Sequence, residues 1–147
     1  MRLLAGVTLL LSAAYAVALG QAPEGRTVGD GVFSAAQASR GKATYAVFCA
    51  GCHADDLAGT NSGDSGAPPL KHDRFMRGST AGALYTKIKR SMPLDAPGTL
   101  KDTDVLELVA FLLEANGFPA GAADLPADVK ALDRIRIESA PGRPVAP

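Results

Sequence analysis

An all-α domain is what the sequence predicts, and three observations predict it. Apolar residues recur at helical spacing in separate stretches, capping residues or Gly and Pro bound those stretches, and no segment alternates like a half-buried strand. The 147 residues leave room for a leader and one compact domain, not for two substantial ones. Apolar residues make up 47% of the chain, so a core can form, but aromatics are only 5% and Trp is absent. With 16 Gly and 10 Pro, the pattern is a small core with many turns, which suits a protein that borrows apolar substance from a bound group.

The chain opens like an export signal. Met1-Arg2 is a short positive start, Leu3–Leu11 is apolar apart from Gly6 and Thr8, and Ala16-Val17-Ala18 is an Ala-x-Ala cleavage site. Residues 1–18 therefore read as a cleaved leader. The alternative is an uncleaved membrane anchor, since the uncharged run is roughly 20 residues, about one bilayer span. No later stretch is apolar for long enough to span a membrane.

Residues 19–32 are Gly-rich and polar and read as a flexible lead-in to a domain over 33–121. Ser34 can cap the first helix, with Gln37 completing a capping-box pattern, and the helix runs from Ala35 to about Ala50. Gly41 costs it about 1 kcal/mol against Ala. Gly41, Tyr45 and Cys49 share one face, where a glycine permits another backbone to come close. Residues 54–70 carry five Gly and Pro residues and read as a loop. A short helix over 80–90, capped by Ser79, pairs Leu84 with Ile88, and Pro93 and Pro97 then enforce a turn. The third main helix runs from about Asp102 to Asn116, with Val105, Leu108, Val109 and Leu112 as its apolar stripe and Gly117 and Pro119 as its stop. The tail, 122–147, has one helical turn with Pro126 at its start and an extended end.

Fifteen basic and fifteen acidic residues balance, and losing Arg2 with the leader leaves the mature chain slightly negative. General nucleic-acid binding, which needs a positive excess, is excluded. The charge is unevenly spread. Lys71, Arg74, Arg77, Lys87, Lys89 and Arg90 oppose only Asp73 across residues 71–90, whereas 95–138 is mostly acidic. The basic run reads either as a docking face for an acidic partner or as an ordinary solvated face.

Both cysteines lie in Cys49-Ala50-Gly51-Cys52-His53, too close together to staple a domain. Cys-x-x-Cys-His is the attachment pattern of c-type haem. Two thiols a helical turn apart can add to the two vinyl groups of a haem edge, and the next residue projects His53 at the iron. A dithiol redox site would call for a strand-rich thioredoxin setting, and a zinc site for four ligands, where only His72 remains among Cys and His. The sixth ligand separates a carrier from a catalyst, because a haem with both axial positions filled has no place for substrate. Met92, in the turn Ser91-Met92-Pro93, is preferred, and methionine opposite histidine raises the potential. Met76 and His72 are the alternatives.

These residues resemble the class I cytochrome c family. Gly41-x3-Tyr45-x3-Cys49 running into Cys49-x-x-Cys52-His53 matches its N-terminal signature, and Ser91-Met92-Pro93 matches its methionine-ligand loop, over roughly residues 33–117. The resemblance implies a cytochrome c-like domain of about three main helices around one covalently attached haem c. It also implies that Pro68, in Pro68-Pro69-Leu70, accepts a hydrogen bond from the ligating histidine, and that the first and last helices cross at Gly41 and Phe111. Met92–Gly121 is further similar to bacterial cytochromes that serve periplasmic dehydrogenases, including quinoprotein alcohol dehydrogenases. The chain departs from the family in lacking a Trp for a haem propionate, leaving Tyr85 or another donor, and in placing Lys71-His72 after the Pro-x-Leu segment.

The resulting expectation is a periplasmic electron carrier with no chemistry of its own on a substrate. Its partners would be redox proteins, a periplasmic dehydrogenase as donor and a terminal oxidase or other cytochrome as acceptor. Two alternatives are an electron-accepting subunit of such a dehydrogenase, and a haem enzyme or gas sensor with an open sixth position.

Overall fold

The structure, a computed structural model, describes residues 25–60, 66–71 and 76–138. Their order is a 3-10 turn (Val28–Asp30), α1 (Ala35–Phe48), α2 (Ala50–His53), α3 (Ala81–Ser91), α4 (Asp102–Ala115) and α5 (Val129–Leu132). Among the described residues no β-strand forms, and strand-like pairing is limited to isolated bridges such as Thr27 with Arg136. None of the described helices is long and apolar enough to cross a membrane. The leader reading of residues 1–18 lies outside the described residues.

Helix α4 is the centre of the core. Every residue from Val105 to Leu113 except Glu107 is buried, because α1 packs on one side of it and α3 on another. Asp102 and Asp104 occupy its first turn, where carboxylates favour the positive helix end. Helix α1 crosses α4 at Gly41, as the family resemblance implied. A Cβ at Gly41 would overlap the Glu107 carbonyl and lie 2.9 Å from the Phe111 Cβ. One turn further along, the Tyr45 and Phe111 rings meet with centroids 5.2 Å apart, tilted by 52°. Arg40, at the rim of this crossing, pairs with both Glu107 and Asp124.

The helix starts show what local sequence leaves open. Ser34 caps α1 by accepting the Gln37 N–H at 3.0 Å, but the Gln37 side chain is used elsewhere. Only 3% exposed, its Oε1 accepts the N–H of Leu125 at 2.9 Å. Helix α3 is capped by Thr80, whose Oγ1 accepts the Ala83 N–H at 3.1 Å, and not by Ser79. The backbone of Ser79 is drawn out to accept the Ile137 N–H at 2.8 Å, which moves the cap along by one residue.

The segments outside 33–121 depart most from expectation. Val28 and Val32, in the stretch read as a flexible lead-in, are buried, as are Leu125, Leu132, Ile135 and Ile137 in the tail. Val28 donates to Arg136 at 2.9 Å, Arg136 to Arg26 at 3.0 Å, and Ala81 to Ile135 at 2.9 Å, so residues 135–137 lie between the lead-in and the start of α3. Each such side chain stabilises the fold by roughly 1.5–3 kcal/mol on burial. The tail's helical turn is α5, which begins beyond Pro126 with Asp128 as its cap.

Candidate functional site

Cys49 sits where two helices meet. Its N–H donates to the Tyr45 carbonyl, closing α1, while its own carbonyl accepts from Cys52 at 3.1 Å and from His53 at 2.9 Å, opening α2. Its backbone (φ −124°, ψ −34°) makes the kink between them. The single turn of α2 thereby places Cys49, Cys52 and His53 on consecutive steps of one coil. Both thiols are free, with Cys49 partly buried against the core and Cys52 exposed.

Burial pushes the Cys49 thiol up to about 11, with the neighbouring Cys52 adding to the shift. A dithiol redox site needs the opposite, a thiol lowered towards neutrality by positive surroundings. Among the described residues, no group of three His, Cys, Asp or Glu side chains converges as metal ligands would. His72 lies outside the described residues.

His53 is 8% exposed, and its Nδ1 lies 2.9 Å from the Pro68 carbonyl oxygen. A carbonyl can only accept, so Nδ1 is the donor in this contact, and in the neutral ring the lone pair falls on Nε2. That is the tautomer an iron ligand requires, fixed by a hydrogen bond from the far side of the ring. The residues present thus fit a covalently held haem: two unpaired thiols one turn apart and, beside them, an imidazole oriented through its Nδ1.

The loop after His53 exists to bring Pro68 back to it. Gly59 donates to the His53 carbonyl at 2.9 Å, Thr60 to Ala67 at 3.0 Å, and Leu70 to Leu57 at 2.8 Å. The Tyr45 hydroxyl braces its start by donating to the Ala54 carbonyl at 2.7 Å, and burial raises that phenol to about 12. Gly59 has φ +74°, and a Cβ there would overlap the Ala67 carbonyl and lie 2.8 Å from both Pro68 C and Pro69 N. Gly59→Ala therefore adds left-handed strain to a backbone overlap and is expected to cost about 2 kcal/mol or more. Denaturant unfolding of the purified protein measures it, and an unchanged midpoint would refute the close approach of Gly59 and Pro68.

Asn116 supports the same segment. It is 2% exposed, and its Nδ2 donates to the carbonyls of Leu70 and Leu112, each at 2.8 Å. The end of α4 thus holds the chain two residues past Pro68. In the sequence Asn116 looks like a helix stop and nothing more. Its partner at Leu70 is 46 positions away, and no local signal marks it.

Met92 closes α3, its N–H donating to the Ile88 carbonyl at 3.0 Å, and is partly buried against the core that Cys49 also touches. Met76, in a left-handed turn (φ +48°) ahead of α3, packs on that core too. Tyr85, named above as a donor for a haem propionate, is buried, and burial first and the Asp102 carboxylate second push its phenol up. Lys71, Arg77, Lys87 and Arg90 are exposed, but Lys89 is engaged with Leu100 and Asp102 and drops out of any free basic face.

Residues 36–112 match a family model described as cytochrome C oxidase, cbb3-type, subunit III. A thiosulfate dehydrogenase from Stutzerimonas stutzeri (strain A1501) is 38% identical over 79 residues, covering 50% of this chain and 26% of that protein. The crystal structure of the sulfane dehydrogenase SoxCD from Paracoccus pantotrophus is similar over 70% of this chain and 60% of that one, with 26% identity and a TM-score of 0.46. The chain thus spans about a quarter of the length of its curated relative.

Proposed function

This chain belongs to the cytochrome c family and carries haem c, and from that premise we propose that it is a periplasmic one-electron carrier in which His53 and Met92 would hold the iron and Cys49 and Cys52 would anchor the haem. The bound haem supplies a single Fe(III)/Fe(II) couple. The protein's own residues do the rest. Cys49 and Cys52 would prevent loss of the group outside the cytoplasm, Pro68 would fix the His53 ring, and the Met92 thioether would favour the reduced iron. The observation that carries the reading is the hydrogen bond from His53 Nδ1 to Pro68, which leaves Nε2 as a ligand next to two unpaired thiols.

Two features support a role in exchange with a protein partner. Val47 and Phe48, 73% and 50% exposed, directly precede Cys49, and Leu94, 81% exposed, follows Met92-Pro93. Apolar side chains left in water beside both ends of the site suit a transient contact surface. The 38% identity to a thiosulfate dehydrogenase favours a second reading with the same haem, in which the chain is the electron-accepting subunit of a dehydrogenase.

The test is absorption spectroscopy on protein exported from a host with haem-attachment machinery. An alkaline pyridine spectrum on denatured protein should report one covalent haem, and that signal should vanish in Cys49→Ser/Cys52→Ser. Absence of covalent haem in the wild-type chain would overturn the reading. Recovery with a stoichiometric oxidoreductase from the native cell selects the subunit form, and recovery alone selects the mobile carrier.

A further inference from the structure

Residues 92–101 join α3 to α4, and little holds them. Within the loop Ala96 donates to Pro93 at 3.1 Å and the Thr99 hydroxyl to Ala96 at 2.8 Å. Leu94, Asp95, Pro97, Gly98 and Thr99 are exposed, and only Leu100, 4% exposed, is buried at the far end. A segment with so few buried contacts opens readily and independently of the fold.

One side chain bridges it. Lys89 lies in the last turn of α3, just ahead of Met92, and its Nζ donates to the Leu100 carbonyl at 2.6 Å. The same ammonium meets Asp102 Oδ1 at 2.8 Å. Lys89 first and Tyr85, one turn earlier on α3, second hold Asp102 below the usual carboxylate range. Both ends of the loop are thereby fastened to one helix: Met92 through its own backbone, Leu100 through the ammonium.

We propose that Lys89 is a positioning residue that clasps the Met92 loop shut and keeps the thioether in place at the haem. The clasp presupposes Met92 as the sixth ligand. A charged donor on a buried residue's carbonyl is among the stronger hydrogen bonds, whereas an ion pair with a carboxylate that is 72% exposed contributes little. The Leu100 contact therefore dominates, and the two contacts respond differently to mutation.

Imidazole added to the ferric holoprotein enters only where methionine has left, so its association rate reads the open fraction of the loop. Lys89→Met removes the donor and keeps the stem, and is expected to raise that rate about tenfold, equivalent to about 1.4 kcal/mol of local opening. Lys89→Arg, which can still reach the carbonyl, should restore near wild-type behaviour, and Asp102→Asn should change the rate less than twofold. Far-UV circular dichroism against guanidinium should show the helices of Lys89→Met melting close to the wild-type midpoint, since the loop opens on its own. A rate within twofold of wild type in Lys89→Met, with the far-red methionine band present in both, overturns the clasp alone. A wild-type ferric protein without that band overturns the Met92 assignment and the clasp with it.

Discussion

Gly41→Val is expected to remove most of the stability of this domain. The glycine is the point where α1 crosses α4, and a Cβ there would overlap the Glu107 backbone carbonyl and approach Phe111 Cβ to 2.9 Å. A backbone carbonyl cannot rotate away as a side chain can, so the two helix axes must separate. Separation in turn opens the Tyr45–Phe111 contact and the Arg40–Glu107 pair built on the same crossing. Overpacking a core commonly costs 1–3 kcal/mol. A fixed backbone obstacle puts this case at about 3 kcal/mol or more, against the 5–15 kcal/mol typical of a whole domain. Guanidinium unfolding of the purified holoprotein measures it, with Gly41→Ala as the graded control. Because α1 ends on Cys49, the yield of covalent haem should fall in parallel. A wild-type midpoint in Gly41→Val would mean that α1 and α4 do not cross here.

Met92→Ala is expected to have the largest effect on function with little effect on folding. As the proposed sixth ligand, a soft thioether would favour ferrous iron, so its loss should lower the midpoint potential by on the order of 100 mV or more. The far-red band of methionine-ligated ferric haem should disappear, and carbon monoxide should bind the reduced protein readily at the vacated position. Met76→Ala is the matched control. Both methionines pack on the core, one closing α3 and the other in a turn ahead of it. Only Met92→Ala should lose the band. If the band survives in Met92→Ala and is lost in Met76→Ala, the ligand assignment moves to Met76. If neither variant loses it, both assignments fail.

The haem-attachment pattern was legible because it is local. Cys49, Cys52 and His53 fall within one helical turn, so spacing alone fixes their relation, and the two cysteines have no other pairing to explain them. The three main helices were legible for the same reason. Caps at Ser34, acids at Asp102 and Asp104 and the stop at Gly117 act over a few residues.

What tertiary structure alone decided is where the polar groups spend their hydrogen bonds. Gln37 looks like half of a capping box, yet it satisfies Leu125, 88 positions away. Asn116 looks like a helix stop, yet it holds the segment that presents Pro68 to His53. Lys89 looks like part of a basic face, yet it closes the Met92 loop. Residues 26–28 and 135–137 look like loose ends, yet Arg136 pairs with the first stretch while Ile135 and Ile137 pair with the start of α3. A sequence displays each donor and acceptor but not its partner. A buried polar group must be satisfied by whatever the fold places beside it. Helix periodicity and the haem-attachment spacing were therefore settled by the chain itself, and the loop contacts that aim His53 and hold Met92 were settled only by packing.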